Sequence, residues 1–401
     1  MAPRTVEAAS LAPTESSDPF HFKKNPRRSG RYFPGASPRA PSPLPIPLIT
    51  LFAMTASLHP AAVLFDDGDA VPDLPVCDHY CGVEARMRKS LELQGELGPV
   101  FDITLDGEDG APVGGEVEHA HLIAELVNSP ANRFGRVGAR IVPFDHPAFV
   151  PMLEALLPAA GVKLAYLMIP KPRHAADLSA AIEAVDAVAA RVPAMAAARR
   201  LAGRALPIHA LVETHGALRD VHALAAHPRV ESLSFGLMDF VSAHRGAIPQ
   251  SAMGVQGQFE HPLVLRAKLE IAAACHGAGK VPSHCVVTEF KDSLALQEAA
   301  EKAQRQLGYT RMWSIHPDQV RVIVEAFAPT AAEIDQAIEI LLAAEAAGWG
   351  PIRHRQGARE QLHDRASFRY FWQVLQRAHR TSLGGQAQLP AEIRQRWFAG
   401  R

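Results

Sequence analysis

The sequence predicts a (β/α)8 barrel, an α/β TIM-barrel fold, with a C-terminal helical extension. Three observations carry that expectation. From residue 71 onward the chain alternates short apolar runs with longer amphipathic ones, eight times over. The runs are apolar throughout, as strands of a parallel sheet buried on both faces are. Eight such units fill about 250 residues, the count and length of this barrel. An open doubly wound sheet is the rival, but no glycine fingerprint for a dinucleotide follows the first run.

Residues 1–57 come first and differ in kind. "SSDPFHFKKNPRRSGRYFPGASPRAPSPLPIP" is rich in Pro, Ser and Arg and has too little apolar surface to join a core, so a disordered leader is expected. "LITLFAM" is too short to span a bilayer. As a signal peptide it would follow an unusually long, proline-interrupted start. Met54 is therefore read as the true start, with export as the minor alternative.

The expected domains are the leader at 1–57, the barrel at 58–328 and a helical lid and tail at 329–401. The expected strands are Val71–Cys77, Val100–Leu105, Val137–Val142, Leu164–Ile169, Leu206–Val212, Ser232–Phe235, Val281–Val287 and Met312–Ile315. "VEARMRKSLEL" places Val83, Met87 and Leu91 on one helical face. "HPLVLRAKLEIAAACHG" and "KDSLALQEAAEKAQRQLG" each end on a glycine suited to a helix C-cap. Past residue 328, Ile334, Ala337, Ile338, Leu341 and Leu342 share one helical face. Phe368, Phe371, Trp372 and Leu375 share another. The polar, glycine-punctuated stretch Trp349–His363 between them reads as a mobile loop.

Composition bounds the function. With 401 residues, 48% hydrophobic, 21% charged and a net charge of −1, nothing draws the whole chain to nucleic acid or to a membrane surface. Cys77, Cys81, Cys275 and Cys285 are scattered, which suggests reduced thiols in the cytoplasm rather than a disulfide framework.

A barrel places its chemistry at the C-terminal ends of the strands. Polar residues gather there: Asp106, Glu108 and Asp109 after the second run, Arg140 in the third, Lys171 after the fourth and His316 after the eighth. Glu213 ends the fifth run and Asp239 follows the sixth, 26 positions later. Two carboxylates on neighbouring strands suit Mg²⁺, a hard cation that takes one or two protein acids and fills its octahedron with water and substrate oxygens. Both acids equally suit the starts of the following helices, as caps or dipole partners.

"LDGEDGAP", "GARI", "YLMIPK", "LVETHGAL…FGLMDF" and "SIHPDQ" together resemble the HpcH/HpaI aldolase and citrate lyase beta-subunit-like superfamily, across about residues 71–380. The branch most similar is that of the malyl-CoA and citramalyl-CoA lyases. The resemblance implies Glu213 and Asp239 as Mg²⁺ ligands, and Arg140 as the catalytic and substrate-binding arginine. It implies Glu108 and Asp109 as an acidic pair that orients the arginine and metal-bound water. It also implies Asp364, in "LHDRASF", as a general acid/base reaching a neighbouring subunit of a homotrimer or homohexamer. The substrate class implied is a 2-keto acid joined to an acyl-CoA. Departures from the family pattern are Gly107, Val142, His215 and Arg311, and they bear on the substrate more than on the metal. Three functions follow: a Mg²⁺-dependent carbon–carbon lyase with thioester hydrolysis as a close variant, a pyruvate-type class II aldolase on free hydroxy-keto acids, and a non-catalytic barrel subunit.

Overall fold

Eight parallel strands close on themselves in chain order: β1 (Cys77–Cys81), β2 (Phe101–Asp106), β3 (Val137–Arg140), β4 (Leu167–Ile169), β5 (Ile208–Val212), β6 (Val230–Phe235), β7 (Val281–His284) and β8 (Arg311–Ser314). The (β/α)8 expectation holds. The computed structural model describes residues 59–66, 71–203, 205–357, 359–385 and 388–399, so the expected leader at 1–57 lies outside the described residues. Among the described residues no helix is long and apolar enough to cross a membrane.

Side-chain alternation along each strand sorts the barrel into an outer and an inner environment. Phe101, Ile103 and Leu105 of β2 point outward into the large apolar core beneath the helices. Asp102, Thr104 and Asp106 alternate with them. Thr104 and Tyr166 both donate to Asp78 Oδ1, at 2.8 and 3.0 Å. Arg311, fully buried, spans Asp78 at 3.0 Å and Asp102 at 2.6 Å. Two residues further along their strands, Tyr80, Met168, Leu211, Val286 and Trp313 form an apolar layer of their own.

That polar interior corrects the first strand. The expected Val71–Cys77 is interrupted by Pro72 and Pro75, whereas the strand is "CDHYC", every residue of it buried. Asp78 is tolerated inside the barrel because Thr104 and Tyr166 donate to one of its oxygens and Arg311 stands within ion-pair distance of the other. The helix Ser293–Leu307 ends as expected, with Gly308 left-handed at φ +75°. The helix Pro262–Gly277 instead runs through its expected cap glycine, and the left-handed residue is Gly279. All four cysteines are free and buried.

A second apolar core lies in the C-terminal segment. The helices Ala331–Ala346 and Arg365–Arg380 bury Ile334, Ala337, Leu341, Phe368, Phe371, Trp372 and Leu375 together. Two expectations need correction here. Trp349–His363 is not wholly loop: β9 (Ile352–Gln356) and β10 (Arg359–His363) pair antiparallel, because "IRHRQGAREQLH" has a left-handed Gly357 where the chain reverses. Residues at the start of the expected barrel domain do not join the barrel. Leu64 is fully buried in the second core, Arg369 donates to its carbonyl at 2.6 Å, and His59 Nε2 meets the Trp397 carbonyl at 2.8 Å.

Leu64→Ala removes a fully buried side chain from that small core. It should lower the unfolding free energy by about 2–5 kcal/mol in a denaturant titration. A loss under about 0.5 kcal/mol, the size of an ordinary surface change, would mean that the segment does not dock in solution.

Candidate active site

The mouth of the barrel is assembled from the C-terminal ends of β2 to β6. Asp106 and Arg140 are register partners on adjacent strands. The Asp106 carboxylate takes the guanidinium as a fork, Oδ1 from Nε at 2.7 Å and Oδ2 from Nη2 at 2.5 Å. Asp106 is itself fixed by the Glu108 and Gly110 amides, which donate to its two oxygens. Gly110 must be glycine, since a Cβ there would fall 2.3 Å from Asp106 Oδ2. Arg140 Nη1 lies 2.9 Å from Glu108 Oε2, and the guanidinium carbon sits 5.5 Å over the Tyr80 ring. Tyr80 stacks on Trp313, with centroids 4.2 Å apart. Burial opposes the charge on Arg140, but the Asp106 and Glu108 carboxylates outweigh it and hold the guanidinium firmly protonated.

Glu213 directly follows β5 and is 2% exposed. It does not cap the next helix; Thr214 does, accepting from the Ala217 amide at 3.0 Å. Glu213 Oε1 accepts instead from the backbone N–H of Lys171 at 2.9 Å. On its other side, Gly236 allows β6 to end close by, for a Cβ at 236 would lie 2.2 Å from Glu213 Oε2. Asp239 sits in the first turn of the helix Leu237–Ser242, its side chain 41% exposed. Burial, and then the Asp239 charge, push the Glu213 carboxyl up to about 8.

Lys171 joins these parts. Its ammonium reaches Glu108 Oε1 at 2.5 Å, Asp109 Oδ2 at 2.8 Å and Asp239 Oδ1 at 3.7 Å. Burial works against that charge, yet the bonds to Asp109 and Glu108 raise its pKa. Burial also opposes ionisation of Asp109, but its bond to Lys171 wins and holds the carboxyl below its usual range.

The structure thus brings Arg140, Glu108, Asp109, Glu213 and Asp239 together at one mouth. It does not bring Asp364 there. Asp364 is the exposed N-cap of the helix Arg365–Arg380, with Oδ1 accepting from the Ala366 and Ser367 amides. His316 is likewise an N-cap, of the helix Pro317–Phe327. The expected pairing of Glu108 and Asp109 on the arginine is divided: Asp106 forms the fork, Glu108 adds one contact, and Asp109 serves Lys171. Sequence reasoning named Asp106 and Lys171 without giving either a role, and it never placed Tyr80 because β1 was set in the wrong register.

The oxygen donors suit a hard divalent cation. Among the described residues no group of three or more His, Cys, Asp or Glu side chains is arranged to hold a metal ion. A metal at this mouth would rest on Glu213 and Asp239, the low protein-ligand count that Mg²⁺ tolerates because it retains water.

A family model described as HpcH/HpaI aldolase/citrate lyase matches residues 102–317, more than half of the chain. The L-malyl-CoA/beta-methylmalyl-CoA lyase of Cereibacter sphaeroides is 29% identical over 260 residues, 61% of this chain and 77% of that one. The (3S)-malyl-CoA thioesterase of the same species is 30% identical over 198 residues, 49% of this chain and 58% of that one. A solved citrate lyase from Burkholderia xenovorans LB400 is 53% identical, with a TM-score of 0.69, and covers 84% of this chain and 98% of its own. Protein CitE from Mycobacterium tuberculosis, solved with magnesium, acetoacetate and coenzyme A, shares the fold at 21% identity. Its TM-score is 0.57, over 76% of this chain and 98% of its own.

The raised Glu213 carboxyl sets a pH dependence. The folded state keeps a proton that the unfolded chain loses above its ordinary value of 4.5, so this group's contribution to stability falls as pH rises toward about 8. With metal chelated, the melting temperature of wild type relative to Glu213→Gln should decline from about pH 5 to pH 8 and then level off. A difference that stays flat across that window would show that Glu213 ionises as an ordinary carboxylate.

Proposed function

The chain belongs to the HpcH/HpaI aldolase/citrate lyase family, and from that premise we propose that it is a Mg²⁺-dependent carbon–carbon lyase acting on a β-hydroxyacyl-CoA thioester. The observation that carries the reading is the meeting of Glu213 and Asp239 at one barrel mouth, beside an arginine already oriented by carboxylates. Similarity to a malyl-CoA lyase over 61% of the chain supports the substrate class.

Glu213 and Asp239 would hold Mg²⁺, which when bound supplies Lewis-acid polarisation of a carbonyl oxygen. Arg140 brings five N–H donors, of which Asp106 accepts from two, while Glu108 stands within ion-pair distance of Nη1. The donors that remain suit a substrate carboxylate or the oxygen on which charge develops. Cleavage releases the hydroxyl proton to solvent, converts the carbon that bore it into the carbonyl of a 2-keto acid and leaves the bonding pair on the thioester's α-carbon as an enolate. That enolate must take a proton. Asp364 is assigned this step, delivered from a neighbouring copy in a homotrimer or homohexamer. The support within this chain is that Asp364 is exposed and that only its Oδ1 is engaged by its own helix. Thioester hydrolysis is the second reading, favoured by similarity to a (3S)-malyl-CoA thioesterase.

Incubation with Mg²⁺ and a panel of hydroxyacyl-CoA thioesters and free 4-hydroxy-2-keto acids, read by mass spectrometry, separates the readings. A lyase yields a keto acid and a shorter acyl-CoA, a thioesterase yields free CoA, and a class II aldolase cleaves the free acids. Glu213→Gln or Asp239→Asn should abolish Mg²⁺-dependent turnover while leaving the fold intact. Either variant with full turnover and unchanged metal affinity would remove the metal assignment.

The shared site makes its own demand. Asp364→Asn and Glu213→Gln should each be inactive, yet mixed and reassembled subunits should recover activity. Mixed oligomers that form but stay dead would mean that the acid does not act across subunits.

A further inference from the structure

Lys171 is placed at a cost. Its φ of +49° lies in the left-handed region, which a side chain with a Cβ adopts only when its surroundings impose it. A glycine would sit there without strain. What glycine lacks is the ammonium, and here the ammonium lies among Glu108, Asp109 and Asp239 while the same residue's N–H holds Glu213. One residue therefore touches four carboxylates, including both candidate metal ligands. Its side chain is 26% exposed, so it lines the mouth rather than the core.

Four clustered acids repel one another unless a cation stands among them. In the chain as described, the nearby cations are Arg140 and Lys171. Arg140 is committed to Asp106 and Glu108 and has no contact with Asp239 or Asp109. Among the described residues Lys171 alone spans from the Glu108–Asp109 side to the Asp239 side. An incoming divalent ion at Glu213 and Asp239 would meet this ammonium as a like charge, and it would draw Asp239 away from it.

We propose that Lys171 is the resident counter-ion of the metal site: it holds the acids in place before the metal arrives, and metal binding proceeds in competition with it. This rests on the assignment of Glu213 and Asp239 as Mg²⁺ ligands. Lys171 is thus a positioning residue that sets metal affinity. The same ammonium steadies Glu108, and through it Arg140, so losing it has opposite consequences for binding the ion and for turnover.

Calorimetric titration of Mg²⁺ into the full chain tests this without any substrate. Lys171→Met should bind Mg²⁺ more tightly than wild type, by about tenfold or more, because the competing charge is gone. Its turnover should fall at the same time. Lys171→Arg keeps the charge and should stay within about threefold of the wild-type affinity. If wild type binds Mg²⁺ and Lys171→Met binds it equally or more weakly, the counter-ion role is wrong while the metal site stands. If wild type itself shows no Mg²⁺ binding, the metal site falls and this role with it.

Should Lys171→Met fail to fold, wild type still gives the answer. Reductive methylation with an isotope label gives each lysine an NMR signal, and the one missing from Lys171→Arg identifies Lys171. That signal should move when Mg²⁺ is added. A signal that stays in place through metal saturation overturns the proposal.

Discussion

A guanidinium buried at the barrel mouth must be matched by carboxylates, and the arrangement of the site follows from meeting that requirement. Arg140 is 7% exposed. An unpaired charge at such depth is prohibitive, whereas a forked, hydrogen-bonded one is tolerated. Asp106 supplies the fork from the neighbouring strand, and backbone amides of the loop "DGEDG" hold Asp106 in turn. Glu108 then reaches the arginine, Lys171 answers Glu108, and Asp239 falls within reach of Lys171. The chain of alternating charges therefore runs from β2 across the mouth to the helix after β6. Glu213 stands beside that chain, tied in by a main-chain N–H, and burial pushes its carboxyl toward the neutral form.

Much of this was legible in the sequence, for identifiable reasons. An apolar run followed closely by an acid is a plain signal, and it marks Glu213 just after β5 and Asp239 in the helix that follows β6. Arg140 stood inside such a run, where a charge needs an explanation. The failures are equally specific. No apolar run marks "CDHYC", because half of that strand faces a polar barrel interior. The strand's true position depends on Arg311, more than 200 residues away, and no local pattern reports such a partner. Lys171 follows a proline at the end of a short strand and reads as an ordinary surface cation. Its left-handed backbone and its hold on Glu213 exist only once β4 and β5 lie side by side. The hairpin of β9 and β10 did carry a local signal, alternation on both sides of Gly357, but its many charges made it look like loop.

The second core has a different logic from the barrel. The barrel buries strands between an inner and an outer layer, each served by residues of neighbouring units. The C-terminal helices have only the short β9–β10 hairpin beside them, so their apolar faces meet each other, Ile352 of β9 and whatever else the chain brings. Part of what it brings is Leu64, together with Trp397 and Phe398 from the far end. Asp364 caps the helix Arg365–Arg380, which Phe368 and Trp372 anchor in this core. The acid is thus presented to solvent from a well-anchored base.

The bonds between residues 59–65 and the last helices join points separated by 302, 305 and 338 positions in the chain. Apart from the β1–β8 pairing that closes the barrel, each β/α unit can make its strand contacts with its chain neighbours as it is made. The segment ahead of β1 has no such option and must wait, during synthesis, for almost the whole polypeptide to emerge. Closing so long a loop costs little more than closing one half its length, since the entropy grows only with the logarithm of loop length. The delay is therefore kinetic rather than thermodynamic. During that interval Leu64 and its partners are unprotected apolar surface, which is the exposure that chaperones bind. The closeness of His59 to Trp397 makes a circular permutation of the segment from 59 onward geometrically reasonable, with a linker joining these two regions and new termini cut into a loop at the base of the barrel.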